Sequence, residues 1–331
     1  MQISAQTSNN STRQRILIND NWKFYKYDST IKADDLIYDE RPEIKIFQGD
    51  KPADSKPTEA ENVEITKKIL KPWILPTGND FIKDISKHFV RPEGNPGKDF
   101  PFLQNNFKDS SWETVNLPHD WAIKGPFFTE PEGVAEVGGG MGRLPSNGVV
   151  WYRKKLNIPA TDAGKSIFLD IDGAMSYAMV WLNGILIGGW PYGYSSWRLD
   201  LTPYIIPGSE NQLAIRLDNP NNSMRWYPGG GIYRNVWLVK TNPVHIGQWA
   251  TFITTNVSKS SATVDLEITI DNNSNSKTEV KAITQIFELD KNGNKIGEPV
   301  VAFDPINITI PGDQKTKIES SVELKDPKLW G

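Results

Sequence analysis

From Trp112 onward, apolar and polar residues alternate in short runs separated by turn residues. Residues 152–158 and 166–173 read as strands, the second ending at Gly173. Residues 177–182 and 185–188 flank Asn183-Gly184, a dipeptide that tolerates positive φ, which predicts a hairpin. Residues 211–218 and 235–240 supply two more strands. Nearer the start, Ile16, Ile18, Trp22 and Phe24 predict one first strand over 16–27, with a turn at Asn19-Asp20. Strands at this spacing, without helical periodicity between them, predict a sandwich or jelly roll over 16–242. A boundary falls near Thr241-Asn242-Pro243. Beyond it, alternating runs at 262–270, 279–287 and 306–310, with a loop at 290–294, predict an immunoglobulin-like sandwich over 243–331.

Two stretches break the pattern. Residues 1–15 are polar and predict a flexible N-terminus. Residues 28–104 are rich in proline and charge, with helical promise only over 60–70, and read as an inserted surface loop. The apolar pair Leu329-Trp330 followed by Gly331 predicts a chain cut short of its natural end.

Composition narrows the function classes. With 37 basic and 40 acidic residues the net charge is −3, so no broad field draws the chain to nucleic acid or anionic lipid. No apolar run reaches the roughly 20 residues that span a bilayer. Cysteine is absent, which excludes disulfides and Cys-containing metal sites. His88, His119 and His245 lie far apart, without metal-ligand spacing, so no metal site is legible and the cofactor is left open. The 12 Trp, 10 Tyr and 13 Phe suit a packed core, and equally suit surfaces that stack on the C–H face of a pyranose. The stub before Thr7 carries Ser4-Ala5 and resembles what a secretory signal leaves behind, which would place the protein in the periplasm or outside the cell; a cytoplasmic chain with a loose polar start is the alternative.

Three strings carry a family resemblance. They are Val115-Asn116-Leu117-Pro118-His119-Asp120-Trp121, then 138–145 (Gly-Gly-Gly-Met-Gly-Arg-Leu-Pro) leading to Trp151-Tyr152-Arg153-Lys154, and 223–238 around Arg225-Trp226-Tyr227-Pro228-Gly229-Gly230-Gly231. With Trp181-Leu182-Asn183-Gly184 and 200–204 (Asp-Leu-Thr-Pro-Tyr), they resemble the sugar-binding domain of glycoside hydrolase family 2, above all its bacterial β-galactosidase branch. The resemblance covers 16–27 and 105–331 and leaves the 28–104 insertion unmatched. It implies a galactose-binding-like jelly roll followed by an immunoglobulin-like domain. It also implies a downstream (β/α)8 barrel in the same polypeptide, with two glutamates for retaining hydrolysis of terminal β-galactosides. No residue of this chain is expected to be catalytic: Glu279, Glu288 and Glu298 sit in strand and turn patterns and read as solvated faces. The chain alone is expected to be inactive. A homo-oligomer is possible, and a stand-alone carbohydrate-binding module or a structural sandwich protein is the alternative.

The candidate substrate-contacting residues are Arg225, Asp120, His119, Trp226 and Tyr227. Asp120 either binds sugar hydroxyls or pins its loop by pairing with Arg225 or Arg153. His119 reads chiefly as structural. Arg225 precedes a glycine-rich bend that by resemblance closes over the sugar; stacking on Trp226 or pairing with Asp218 is the bland alternative. Trp226 and Tyr227 either stack on sugar or pack against the barrel. The 138–142 glycines lack a phosphate-loop ending and read as a cleft-flanking loop. The aromatic run 190–197 is either a binding surface or core filling.

Overall fold

The structure is a computed structural model and describes residues 12–28, 33–38, 68–127, 144–219, 227 and 229–329. The described residues form an all-β protein: a jelly-roll sandwich and an immunoglobulin-like sandwich. They divide into two compact units, the second comprising residues 164–166 and everything from Thr241 onward.

In chain order the first twelve strands are β1 (Arg13–Leu17), β2 (Trp22–Lys26), β3 (Leu36–Ile37), β4 (Lys68–Ile69), β5 (Glu113–Val115), β6 (Gly148–Asn157), β7 (Ser166–Ile171), β8 (Ala178–Leu182), β9 (Ile185–Trp190), β10 (Trp197–Asp200), β11 (Glu210–Asn219) and β12 (Val236–Thr241). Two sheets make the first sandwich, one ordered β1-β12-β7-β10 and the other β5-β2-β6-β11-β8-β9. The Asn183-Gly184 turn joins β8 to β9 as expected, with φ of 52° and 79° at its two residues. The single strand expected over 16–27 is instead two strands in different sheets. The chain crosses between sheets at Asn19, whose amide oxygen accepts from the Val236 backbone N–H and whose Nδ2 donates to Asn235.

Strand alternation explains the core. On β6, Val150 and Tyr152 face the space between the sheets, while Trp151 faces the other way; on β8, Val180 and Leu182 face inward, while Met179 and Trp181 face outward. In an ordinary two-layer sandwich the outward residues would be wet. Here Trp151, Met179 and Trp181 are fully buried. They pack against Leu36, Tyr38, Leu70, Ile74 and Leu103, all from the 28–104 insertion. The described part of the insertion therefore corrects the surface-loop expectation: it is a third layer over the six-stranded sheet. Each large side chain so covered contributes about 1.5–3 kcal/mol. The expected helix at 60–70 falls mostly outside the described residues; its last part includes β4, which pairs in parallel with β3.

Polar anchors hold this layer down. Arg216 on β11 donates to both carboxylate oxygens of Asp34, at 2.9 and 3.2 Å through Nε, and to the Leu36 carbonyl at 2.8 Å. Asp218 lies 3.3 Å from the same guanidinium, and Trp151 Nε1 donates to Asp34 at 2.9 Å. The charged pair has essentially no exposure, so its cost of desolvation is offset only by this full set of partners. Asn95 brackets the hairpin, donating to the Gly184 carbonyl and accepting from the Leu186 N–H, and Trp181 Nε1 reaches the Pro96 carbonyl.

The second unit contains β13 (Val244–Val257), β14 (Ser261–Asn272), β15 (Thr278–Ala282), β16 (Gln285–Leu289), β17 (Lys295–Ala302), β18 (Ile306–Ile310) and β19 (Gln314–Lys325). β14 is the middle strand between β13 and β19, and β15-β18 and β16-β17 form two further antiparallel pairs. On β14, Ala262, Val264, Leu266, Ile268 and Ile270 share one buried face, and the last four pack on Phe303, Ile310 and Ile318. Asn272 Nδ2 donates to the carbonyls of Ser276, Ile310 and Pro311 and closes one end of this core.

Candidate functional site

The site grows from two loops at one end of the first sandwich. The first runs from β5 through Leu117-Pro118 to a short turn at Ala122–Lys124. The second precedes β12 and contains Tyr227 and the glycines 229–231. They are joined as a small ladder. His119 N–H donates to the Ile232 carbonyl at 2.9 Å and Trp121 N–H to the Gly230 carbonyl at 3.0 Å.

Three consecutive residues of the first loop, two through their side chains and His119 through its backbone carbonyl, lie against three consecutive glycines of the second. A Cβ on Gly229 would stand 2.5 Å from the Asp120 carboxylate; on Gly230, 2.5 Å from the Trp121 ring; on Gly231, 2.5 Å from the His119 carbonyl. Gly231 also has φ +116°, a conformation that L side chains rarely adopt. The Gly-Gly-Gly string is thus a dock for His-Asp-Trp, which neither string reveals alone.

Asp120 is the hub. Its Oδ1 accepts from the backbone N–H of Ala122 at 2.9 Å and of Gly230 at 3.0 Å, and its Oδ2 accepts from the Tyr227 hydroxyl at 2.8 Å. The pairing weighed between Asp120 and Arg153 does not occur. Arg153 is instead buried on the outward face of β6, where it ion-pairs with Asp109 and donates to the Gln104 carbonyl at 2.9 Å. Period-two alternation puts Arg153 and Tyr152 on opposite faces, and Tyr152 is the one that meets the His-Asp-Trp loop.

His119 is buried. Its Nδ1 lies 2.8 Å from the Tyr152 hydroxyl, and its ring meets Phe24 edge to face at 4.6 Å. Burial holds the ring below its ordinary pKa of 6.5, with Lys124 adding to the effect. Burial also pushes up the Tyr152 phenol, and burial together with the Asp120 carboxylate pushes up the Tyr227 phenol. All three groups stay uncharged at neutral pH.

The structure therefore brings together His119, Asp120 and Tyr227. Arg225, Trp226 and the 138–142 glycines lie outside the described residues. Sequence reading missed Tyr152, which supports both His119 and the Ile232 N–H, and Asn219, which donates to the Gly229 carbonyl at 2.9 Å. The 190–197 run divides: Trp197 is core, Tyr192 is exposed, and the Tyr194 hydroxyl donates to the Tyr227 carbonyl at 3.0 Å. Among the described residues, no three His, Asp or Glu gather in a way that could hold a metal, and no helix is long and apolar enough to cross a membrane.

The described residues thus form a jelly roll whose two loops dock on each other, followed by an immunoglobulin-like sandwich. Residues 146–227 match the family described as glycosyl hydrolase 2 galactose-binding domain-like, and residues 244–331 match glycosyl hydrolases family 2. A β-galactosidase of Bacteroides ovatus is 38% identical over 232 residues, which is 69% of this chain and 26% of that protein. A β-glucuronidase of Formosa agariphila is 30% identical over 247 residues, covering 68% of this chain and 24% of its own length. A solved family 2 member from Bacteroides cellulosilyticus superposes with a TM-score of 0.62 at 26% identity, over 97% of this chain and 32% of its own. The chain belongs to glycoside hydrolase family 2. It spans about a quarter of the length of the curated relatives it matches.

Proposed function

We propose that this chain is the non-catalytic N-terminal part of a retaining glycoside hydrolase that removes terminal non-reducing β-galactosides. Catalysis then belongs to a (β/α)8 barrel of the same polypeptide, supplied with two glutamates. The rim at Asp120 and Tyr227, together with Arg225 and Trp226, borders the sugar. The observation that carries this reading is the docking of His119, Asp120 and Trp121 on the three glycines, because it holds Tyr227 and Asp120 together at one loop cluster. A carboxylate with three donors already in place is a fixed element rather than a proton donor or nucleophile, as expected of a non-catalytic rim.

The test compares the 331-residue chain with the natural polypeptide carrying whatever follows Gly331, on aryl β-galactoside and β-glucuronide. The shorter chain is expected to be inert. The longer one is expected to hydrolyse the galactoside with retained anomeric configuration, and Arg225→Ala is expected to raise its KM. Turnover by the 331-residue chain alone, or a longer polypeptide that is inert or inverting, overturns the proposal.

A further inference from the structure

The loop between β9 and β10 is pinned at almost every residue but one. Tyr194 donates to the Tyr227 carbonyl at 3.0 Å, Trp190 Nε1 to Ser195 Oγ at 2.8 Å, and Ser196 Oγ to the Asp172 carbonyl at 3.1 Å. From the other side, the Tyr233 hydroxyl donates to the Gly193 carbonyl at 2.9 Å. Between these anchors Tyr192 stands 54% exposed, its ring meeting Tyr194 edge to face at 5.4 Å. A rigid loop that holds a large ring in water has already met the ordering cost of a stacking contact.

A cation lies beside Tyr233, the residue that pins Gly193. Arg234 is exposed and makes no ion pair among the described residues. Its Cδ and the Tyr233 phenol both lie 2.9 Å from where a Cβ on Gly173 would stand, so the absent side chain at Gly173 lets the two converge. The neighbouring acid is occupied: Asp172 takes Trp237 Nε1 at 2.9 Å and Arg15 at 3.6 Å. The electrostatics agree, since burial raises the Tyr233 phenol while Arg234 opposes the rise and Tyr192 adds to it. Tyr233 thus links the two: its phenol converges with Arg234 over Gly173, and its hydroxyl is bonded to Gly193, the residue after Tyr192.

We propose that Tyr192, Tyr233 and Arg234 form a binding contact for an anionic sugar residue, a uronate or a sulfated pyranose, separate from the Asp120–Tyr227 hub. The apolar C–H face of the sugar stacks on Tyr192, as flat rings permit. The acid group takes the Arg234 guanidinium, whose planar fork matches a carboxylate or sulfate in two parallel bonds. The Tyr233 oxygen, which donates to the Gly193 carbonyl, accepts from a ring hydroxyl. The contact is a binding function and needs no turnover, so it stands or falls apart from the hydrolase reading.

The test is affinity electrophoresis of the 331-residue chain in gels containing hyaluronan, which carries uronate without sulfate, a sulfated galactan, which carries sulfate without uronate, or neutral β-galactan. Retardation is expected in one or both anionic gels and not in the neutral one; the gel that retards identifies the acid group. Arg234→Gln and Tyr192→Ala are each expected to weaken binding about tenfold or more. Both side chains are exposed, so the melting temperature is expected to stay unchanged. Lys291→Gln, in an exposed turn of the second unit, is the charge control. The proposal is overturned by no retardation in either anionic gel, by equal retardation in the neutral gel, by wild-type binding in either site variant, or by an equal loss in Lys291→Gln.

Discussion

Gly230→Ala adds one methyl group where the loop dock faces the Trp121 ring. The backbone of Gly230 lies outside the positive-φ region, so the substitution brings no conformational strain of its own. The whole effect is steric. The new Cβ would stand 2.5 Å from two carbons of the Trp121 ring, against 3.4–4 Å for ordinary contact, so ring or loop must retreat by roughly 1 Å. Neither has room. The Trp121 ring is buried and stacks towards Phe24 at 6.2 Å, its Nε1 donates to the Pro145 carbonyl, and its own N–H is bonded to Gly230. Overpacking of this kind costs about 1–3 kcal/mol. For a unit of this size, each kcal/mol lowers the melting temperature by about 2–4 °C. A drop of about 2–12 °C is therefore expected in thermal unfolding followed by near-ultraviolet circular dichroism. Trp121→Leu removes the opposing ring, so the double variant should be more stable than the sum of the single losses by about 0.5–3 kcal/mol. An unchanged melting temperature in Gly230→Ala, or strict additivity in the double variant, would refute the docking argument.

Other perturbations separate the remaining contacts. Arg216→Met leaves the Asp34 and Asp218 carboxylates without their shared cation and should cost about 3–5 kcal/mol in urea unfolding; adding Asp34→Leu should recover part of the loss. Asp120→Ala strands the N–H groups of Ala122 and Gly230 and should cost about 1–3 kcal/mol, whereas Asp120→Asn, which keeps Oδ1 as their acceptor, should cost less by the same assay. Because burial depresses the folded pKa of His119 below 6.5, the unfolded chain binds the extra proton first. Stability should therefore fall as pH drops below about 6.5, and His119→Gln should flatten that slope between pH 7 and pH 5 when urea midpoints are compared.

Local signals carried much of the fold. Asn183-Gly184 specified its hairpin because only residues that accept positive φ close that turn, and the alternation along 262–270 specified which face of β14 is buried. The third layer was hidden because its evidence is non-local: Asp34 meets Arg216 across 182 positions. One signal was nonetheless present. Residues 178–182 (Ala-Met-Val-Trp-Leu) are an unbroken apolar run, and in a strand that pattern means burial on both faces. At the site, the two strings carrying His119, Asp120 and Tyr227 were recognisable separately. Their mutual fit was not, since a glycine in sequence does not reveal which ring presses against it. Tyr152 was invisible for the same reason: in sequence it is one of several aromatics on an ordinary strand.

The six-stranded sheet has no wet side along its middle strands, and this limits how the protein can be shortened. Excising 68–104, the longer described stretch of the insertion, would strip Leu70, Ile74 and Leu103 from Trp151, Met179, Trp181 and Leu186 and leave those side chains as one sticky plane. A smaller jelly roll could not be made from this chain by trimming alone. Those outward positions would first need polar replacements, and without them the trimmed protein should self-associate through that plane.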